Sequence, residues 1–109
     1  MSDTVIDRAI IAVRLSSPPD GIRLEIESLV RAAIDDLERQ NVNARNLCPI
    51  DAHASEVKPL VLRAVCFYVQ ANFGVGVSAQ DKAIAQASYD SLSGALSLSK
   101  EYMKEGSTE

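Results

Sequence analysis

The clearest pattern in the chain is an amphipathic repeat between residues 20 and 40. The acid-before-base pairs Glu27–Arg31 and Asp35–Arg39 are each four residues apart and share one face of a helix. Apolar side chains recur at intervals of three and four residues on the opposite face: Ile22, Ile26, Leu29, Val30, Ala33, Ile34 and Leu37. This spacing is typical of a helix with one buried stripe. It predicts a long helix over residues 21–40 with Asp20 as its N-cap.

Two further helices are predicted, one before and one after the helix over residues 21–40. The first runs from about residue 4 to residue 15 and ends at residues 16–19, SSPP, because proline disfavours a helix at and before its position. The other begins near residues 55–58, accepts Pro59 in its first turn and continues to residue 73. It is apolar on nearly every side. We therefore expect it at the centre of the fold or, on one flank, at a contact between subunits.

The fourth predicted helix begins at Ser78 and continues to about Met103. Ser78 and Asp81 have the spacing of a capping box. Gly94, in the middle of this helix, costs about 1 kcal/mol relative to alanine, so we expect a close helix contact or a bend there. One stripe of the helix is made largely of small residues, which would let a neighbouring helix approach closely: Ile84, Ala87 or Ser88, Leu92, Ala95, Leu96, Ser99 and Tyr102.

Together these elements predict an all-α fold in one domain of residues 1–109. It is a small four-helix domain with two long antiparallel helices, about 20–40 and 57–73 with 79–103, and a long loop at 41–54. The loop has no sustained period and is long for so small a domain, which is typical of functional segments. We expect its apolar residues Leu47 and Ile50 to attach it to the body of the protein or to a neighbouring subunit.

Composition and charge narrow the classes of function. The formal net charge is −4, and lysine and arginine are scattered singly, so we expect no sequence-specific nucleic-acid binding. No apolar run approaches the ~20 residues that a membrane-spanning helix needs, so we expect no membrane association. We expect Cys66 to lie in the core, and a disulfide between Cys66 and Cys48 stays open.

The candidate chemistry is weak. Cys48, Asp51 and His53 fit no zinc spacing, and a fourth ligand is not evident. We read His53 as a solvated loop residue. The Gly74-Val75-Gly76 segment lacks the Lys-Ser/Thr and preceding strand of a phosphate loop and is read as the end of a helix and a turn. Asp35 and Asp36 are read as part of a solvated helix face. We therefore expect no enzyme activity, no metal and no cofactor.

Residues 60–102 resemble the C-terminal half of siphophage head–tail connector (adaptor) proteins, a family also called small phage DNA-packaging proteins. The resemblance lies in these segments: Ala64-Val65, Tyr68-Val69, Ala71-Asn72-Phe73-Gly74, Ser88-Tyr89-Asp90, Leu92, Leu96-Ser97-Leu98-Ser99 and Glu101-Tyr102. It implies a structural virion protein that forms a ring, typically twelvefold, beneath the portal. Such a ring joins the DNA-filled head to the stopper or tail-completion protein, and DNA passes through it.

The resemblance also implies a location at the head–tail interface of the virion, and in the host cytoplasm during assembly. The candidate interface residues are Leu47, Ile50, Tyr102, Met103 and Lys104. We expect the loop at 41–54 and the tail at 102–109 to become ordered on assembly, the tail towards the portal. The alternative function is a small helical protein–protein interaction or regulatory module unrelated to virions.

Overall fold

A computed structural model of the chain describes residues 4–13, 19–73 and 78–103. Outside two isolated bridges, these residues contain no β-structure, so the predicted all-α class is confirmed. Five α-helices are described rather than four, because one helical turn lies inside the predicted loop. The elements are α1 (Val5–Ala12), α2 (Asp20–Arg39), α3 (Ala44–Leu47), a 3-10 turn (Ala54–Glu56), α4 (Pro59–Asn72) and α5 (Ala79–Ser97).

Side chains and backbone groups satisfy the first turns of the helices. At α1, Thr4 and Asp7 form a capping box, with each side chain accepting the other residue's N–H at 3.1 Å. At α5 the Ser78 hydroxyl accepts the Asp81 N–H at 3.1 Å, as predicted. The predicted Asp20 cap on α2 is wrong. Pro19 holds the cap position and its carbonyl accepts the Arg23 N–H at 3.0 Å, so Asp20 lies inside the first turn.

The end of α2 is a Schellman motif built on Asn41. Asn41 adopts a left-handed conformation with φ 74°, which asparagine tolerates better than most residues. Its N–H donates to the Glu38 carbonyl at 3.1 Å, and the N–H of Val42 donates to the Leu37 carbonyl at 2.9 Å. These bonds satisfy two carbonyls at the end of the helix and turn the chain sharply into the segment that carries α3.

The core is centred on α4, which packs against α1, α2 and α5 as predicted. Pro59 is accommodated in the first turn of α4, where its missing N–H costs nothing. The predicted apolar stripe of α2 supplies much of the core, since Ile26, Val30, Ala33, Ile34 and Leu37 are all buried. They meet the buried side chains of α1 and α4, which are Val5, Ala9, Ile10, Val61, Ala64, Val65 and Val69.

Helices α4 and α5 form an antiparallel hairpin. Tyr68 and Tyr89 contact each other edge to face with ring centroids 5.3 Å apart, and Lys58 before α4 pairs with Glu101 beyond α5 at 3.6 Å. The helix α5 ends at Ser97 rather than near Met103, and the chain then continues in turns. No described helix is both long and apolar enough to cross a bilayer.

The expected close contact at Gly94 is absent. A methyl group built on Gly94 would meet no atom within 4 Å, so a neighbouring helix does not press against this position. Gly94 also lies within the continuous helix α5. The glycine is therefore not required by packing inside the chain.

Candidate functional site

An apolar groove runs along the outer side of the α4–α5 hairpin. Arg63 and Phe67 lie on its α4 side, and five small and medium-sized residues line its α5 side. The residues that line this hairpin groove are Arg63, Phe67, Ala87, Ser88, Ser91, Leu92 and Ala95. Arg63 is the only charged residue among them. The groove is therefore a mostly apolar surface with one cation at its edge.

Large apolar side chains stand exposed around the hairpin groove. Ile84 is 57% exposed and Leu98 is 84% exposed. They continue the helical row of Ala87, Ser91 and Ala95 at spacings of three and four residues, so they extend the groove at both ends. Leu60, three residues before Arg63 on α4, is 37% exposed. Contiguous apolar surface of this kind is typical of a protein contact.

The stripe predicted on α5 is confirmed only in part: Leu96 is buried and Leu92 is half-buried, but the rest of the core-facing side is turned away from the predicted stripe. The buried residues of α5 are Ala85, Tyr89, Ser93 and Leu96, with Leu92 partly buried beside them. Ile84, Ala87 and Ala95 of the predicted stripe are exposed instead. The sequence therefore carries a second apolar face on α5 that the described fold does not use.

Helices α1 and α2 each carry one exposed large apolar side chain. Ile11 is 55% exposed and Leu24 is 63% exposed. The two helices are joined on their outer side by an ion pair between Asp7 and Arg23 at 3.2 Å. We call Ile11, Leu24 and the exposed acids Asp20 and Glu25 the α1–α2 patch. The positions of Asp20 and Glu25, four residues before and one residue after Leu24, give this patch an acidic rim.

The loop predicted to be an interface is tied to the body of the chain. Leu47 is half-buried against the core, and its carbonyl accepts the Lys58 N–H at 3.0 Å. The neighbouring Cys48, predicted as a loop residue, is fully buried. Farther along, the Val5 N–H donates to the Ala52 carbonyl at 3.1 Å. These contacts fix both sides of the loop to the helices.

Ile50 is half-buried and lines a cleft between the loop and α2. The other lining residues are Arg31, Ile34, Asp35, Arg45, Pro49 and Asp51. Both arginines already have carboxylate partners, since Arg31 pairs with Glu27 at 3.0 Å and Arg45 with Asp35 at 2.8 Å. The cleft therefore offers little unneutralised positive charge to an anionic ligand.

Tyr102 and Met103, also predicted as interface residues, pair with the segment after α2. The Tyr102 carbonyl accepts the Asn43 N–H at 2.8 Å, and Met103 forms a bridge with Val42. Tyr102 also packs against the core. Lys104 lies outside the described residues. The expectation that these segments gain order only on assembly is therefore wrong for residues 41–54 and 102–103.

A polar cluster joins α2 to α5. The Tyr89 hydroxyl donates to Asp36 Oδ2 at 2.5 Å, and the Gln40 amide donates to the same oxygen at 2.9 Å. Burial, and then the Asp36 carboxylate, raise the pKa of Tyr89 far above its ordinary value. The interpretation of Asp36 as fully solvated is wrong, because Asp36 is half-buried. Asp36 also forms an ion pair with Arg39 at 3.1 Å, in place of the predicted Asp35–Arg39 pair.

The two cysteines are free thiols. Burial raises the pKa of Cys48 to about 12, with a smaller contribution from Cys66, and burial raises the pKa of Cys66 to about 11. Both are therefore protonated near neutral pH, whereas a nucleophilic or metal-binding cysteine is a thiolate. Exposed His53 bridges Thr4 through its backbone, and the described residues contain no group of three His, Cys, Asp or Glu suited to a metal.

No protein-family model, curated protein or solved structure matches the chain. The candidate functional surface is the hairpin groove, with the α1–α2 patch as a second surface.

Proposed function

We propose that the chain is a ring-forming head–tail connector of a siphophage. In this role it attaches beneath the portal and joins the DNA-filled head to the stopper or tail-completion protein. The proposal is supported by the resemblance of residues 60–102 to connector proteins, a segment that holds most of the α4–α5 hairpin. The structural role is assembly rather than catalysis.

The open hairpin groove carries this proposal. A helical stripe of Ile84, Ala87, Ala95 and Leu98 would ordinarily be covered by another helix. In the single chain it is exposed, so an assembly that covers it gains hydrophobic stabilisation of roughly 25 cal/mol per Å² of apolar surface. A small domain has a limited core, and this gain adds to its stability on assembly.

The electrostatics suit a subunit around a DNA channel. The net charge of −4 gives the ring a repulsive or weak interaction with phosphates, so DNA can slide without being held. Several of the positive charges are also engaged in ion pairs. Arg23, Arg31, Arg39 and Arg45 each pair with a carboxylate, so they do not form a free basic track.

The size of the particle tests the proposal. Mass photometry or sedimentation would be recorded for the chain alone at rising concentration, and then with purified portal. We expect portal-bound assemblies that contain about twelve copies of the 11.8 kDa subunit. A chain that stays monomeric or dimeric in every condition would contradict the proposal. That result would favour the small interaction or regulatory module.

A further inference from the structure

We propose that neighbouring copies in the ring bind head to tail, with the α1–α2 patch of one copy seated on the hairpin groove of the next. Leu24 is the side chain that enters the groove. This inference rests on the proposed ring. It assigns the contact between subunits to two surfaces that the chain leaves uncovered.

The distribution of exposed apolar side chains supports two complementary surfaces. Among the described residues five large hydrophobic side chains are exposed. Three of them, Leu60, Ile84 and Leu98, surround the hairpin groove, and the other two are Ile11 and Leu24 of the α1–α2 patch. The groove wall on α5 consists mainly of small side chains, and Leu24 is 63% exposed on α2, so the groove of one copy can cover Leu24 of another.

The charges of the two surfaces are opposite. The only charged residue lining the groove is Arg63. Beside Leu24, Arg23 is neutralised by its ion pair with Asp7, whereas the carboxylates of Asp20 and Glu25, four residues before and one residue after Leu24, are exposed. An approaching α1–α2 patch would bring these acids near Arg63, whereas two grooves facing each other would bring two arginines together. The opposite charges at the edges of the two surfaces therefore favour patch-to-groove contact over groove-to-groove contact.

The shape of the groove fits a leucine side chain. Its α5 wall is formed by Ala87, Ser91 and Ala95, whose small side chains leave space, while Phe67 and Leu92 provide apolar contact. Leu24 lies on the outer face of the long helix α2 and is not needed by the core.

Contact between two different surfaces is what a ring requires. A contact between identical surfaces closes after two copies, whereas a head-to-tail contact repeats until the rotation closes. In the proposed arrangement every copy uses its groove once and its patch once. In a closed ring all five exposed apolar side chains then lie at contacts between copies. In an open chain the groove of one end copy and the patch of the other stay exposed.

Mixing two defective variants tests the contact. Ala87→Arg blocks the groove, and Leu24→Asp places a charge on the patch. Each variant alone should lose association by about 30-fold or more, because a buried charge at the centre of a contact is left unpaired. An equal mixture should form a one-to-one heterodimer, since one intact groove and one intact patch remain. Sedimentation velocity of the full chains measures both results.

Control variants separate the contact from folding. Gln86→Arg introduces an arginine on an exposed α5 residue that does not line the groove and is turned about 100° around the helix axis from Ala87, and it should assemble like the parent. Thermal unfolding followed by circular dichroism verifies each fold. Ser91→Arg and Leu24→Ser replace the first variants if either fails to fold.

The outcomes also separate this contact from the proposed function. If the parent forms rings and Leu24→Asp or Ala87→Arg forms them equally well, the contact is wrong while the connector role stands. A mixture that stays monomeric also overturns the head-to-tail contact. If the parent never assembles, alone or with portal, both the contact and the connector role are wrong.

Discussion

The hydroxyl of Tyr89 on α5 donates a 2.5 Å hydrogen bond to the carboxylate of Asp36 on α2. Gln40 donates to both groups, at 2.9 Å to Asp36 and 3.4 Å to Tyr89. This cluster holds the Tyr89 side of α5 against the body of the protein. Since Ala87 and Ser91 lie two residues from Tyr89 on the helix, about 160° around its axis, they are turned outward into the hairpin groove.

Removing the Tyr89 hydroxyl should weaken the attachment of α5. We expect Tyr89→Phe to lower the free energy of unfolding by about 1–3 kcal/mol, because the lost bond has a charged acceptor that stays half-buried. Urea unfolding followed by circular dichroism measures the change. Tyr68→Phe is the matched control, since the Tyr68 hydroxyl has no hydrogen-bond partner among the described residues. Equal stabilities for the two variants would contradict the role of the cluster.

The face of α5 shows where sequence reasoning reached its limit. On α2, strongly apolar and strongly charged residues alternate, so periodicity identified the buried stripe correctly. On α5, alanine and serine occur on several faces, and their weak contrast left the rotation of the helix undetermined. Tyr89, whose polar hydroxyl finds a partner 53 residues away, decides the rotation. No local pattern in α5 specifies such a long-range bond.

The segment from Val42 to Ala54 illustrates a second limit. Its single turn α3 is too short to show a helical period, and the burial of Cys48 depends on contacts with distant elements. The pairing of Val42 with Met103 likewise joins residues far apart in sequence. Length and polarity suggested a loose loop, whereas backbone hydrogen bonds to three separate regions fix it.

Gly94 offers a direct test of packing on α5. We expect Gly94→Ala to raise the free energy of unfolding by about 1 kcal/mol, because alanine is the better helix former and its methyl group meets open space. Chemical denaturation of the monomer provides the measurement. Gly21→Ala, also with open space but in the first turn of α2, should give a smaller gain. A lower stability of the Gly94→Ala monomer would contradict this expectation, because it would mean that the added methyl group meets other atoms of the chain.

The thiols of buried Cys48 and half-buried Cys66 should make the stability of the fold decrease in alkali. In the unfolded chain both cysteines ionise near the ordinary pKa of 9.0, whereas burial keeps Cys48 and Cys66 protonated to about 12 and about 11. The stabilisation that the two protonated thiols contribute is therefore fully present well below pH 9. It is lost as the pH rises from 9 towards the folded pKa values. The loss is at most about 1.4 kcal/mol per pH unit for each thiol.

Unfolding in urea at a series of alkaline pH values measures this slope. Cys48→Ala should have a lower stability at neutral pH because it leaves a small cavity, but a shallower decline above pH 9. The comparison is between the slopes, which removes the contribution of other titrating groups. Parent and variant slopes that coincide would show that Cys48 ionises equally in the folded and unfolded chains.

Two truncations separate residues 102–103, which stabilise the fold, from residues 104–109, which are proposed to bind a partner. Deleting residues 102–109 removes the packing of Tyr102 and the hydrogen bond from Asn43, and should cost about 2 kcal/mol of unfolding free energy. Deleting residues 104–109 keeps both contacts and should leave stability and helicity unchanged. Thermal and urea unfolding of the two chains measure the difference. Equal stabilities would contradict the docking of Tyr102.

The shorter deletion also tests the proposed attachment to the portal. If residues 104–109 face the portal in the ring, the chain that lacks them should fold normally yet fail to attach to portal-bearing capsids. Such particles should package DNA and then lose it, because the exit channel is left incomplete. Complementation of a phage that lacks the gene, followed by measurement of retained DNA, provides the readout. Full infectivity with the shortened chain would assign portal binding to another surface of the subunit.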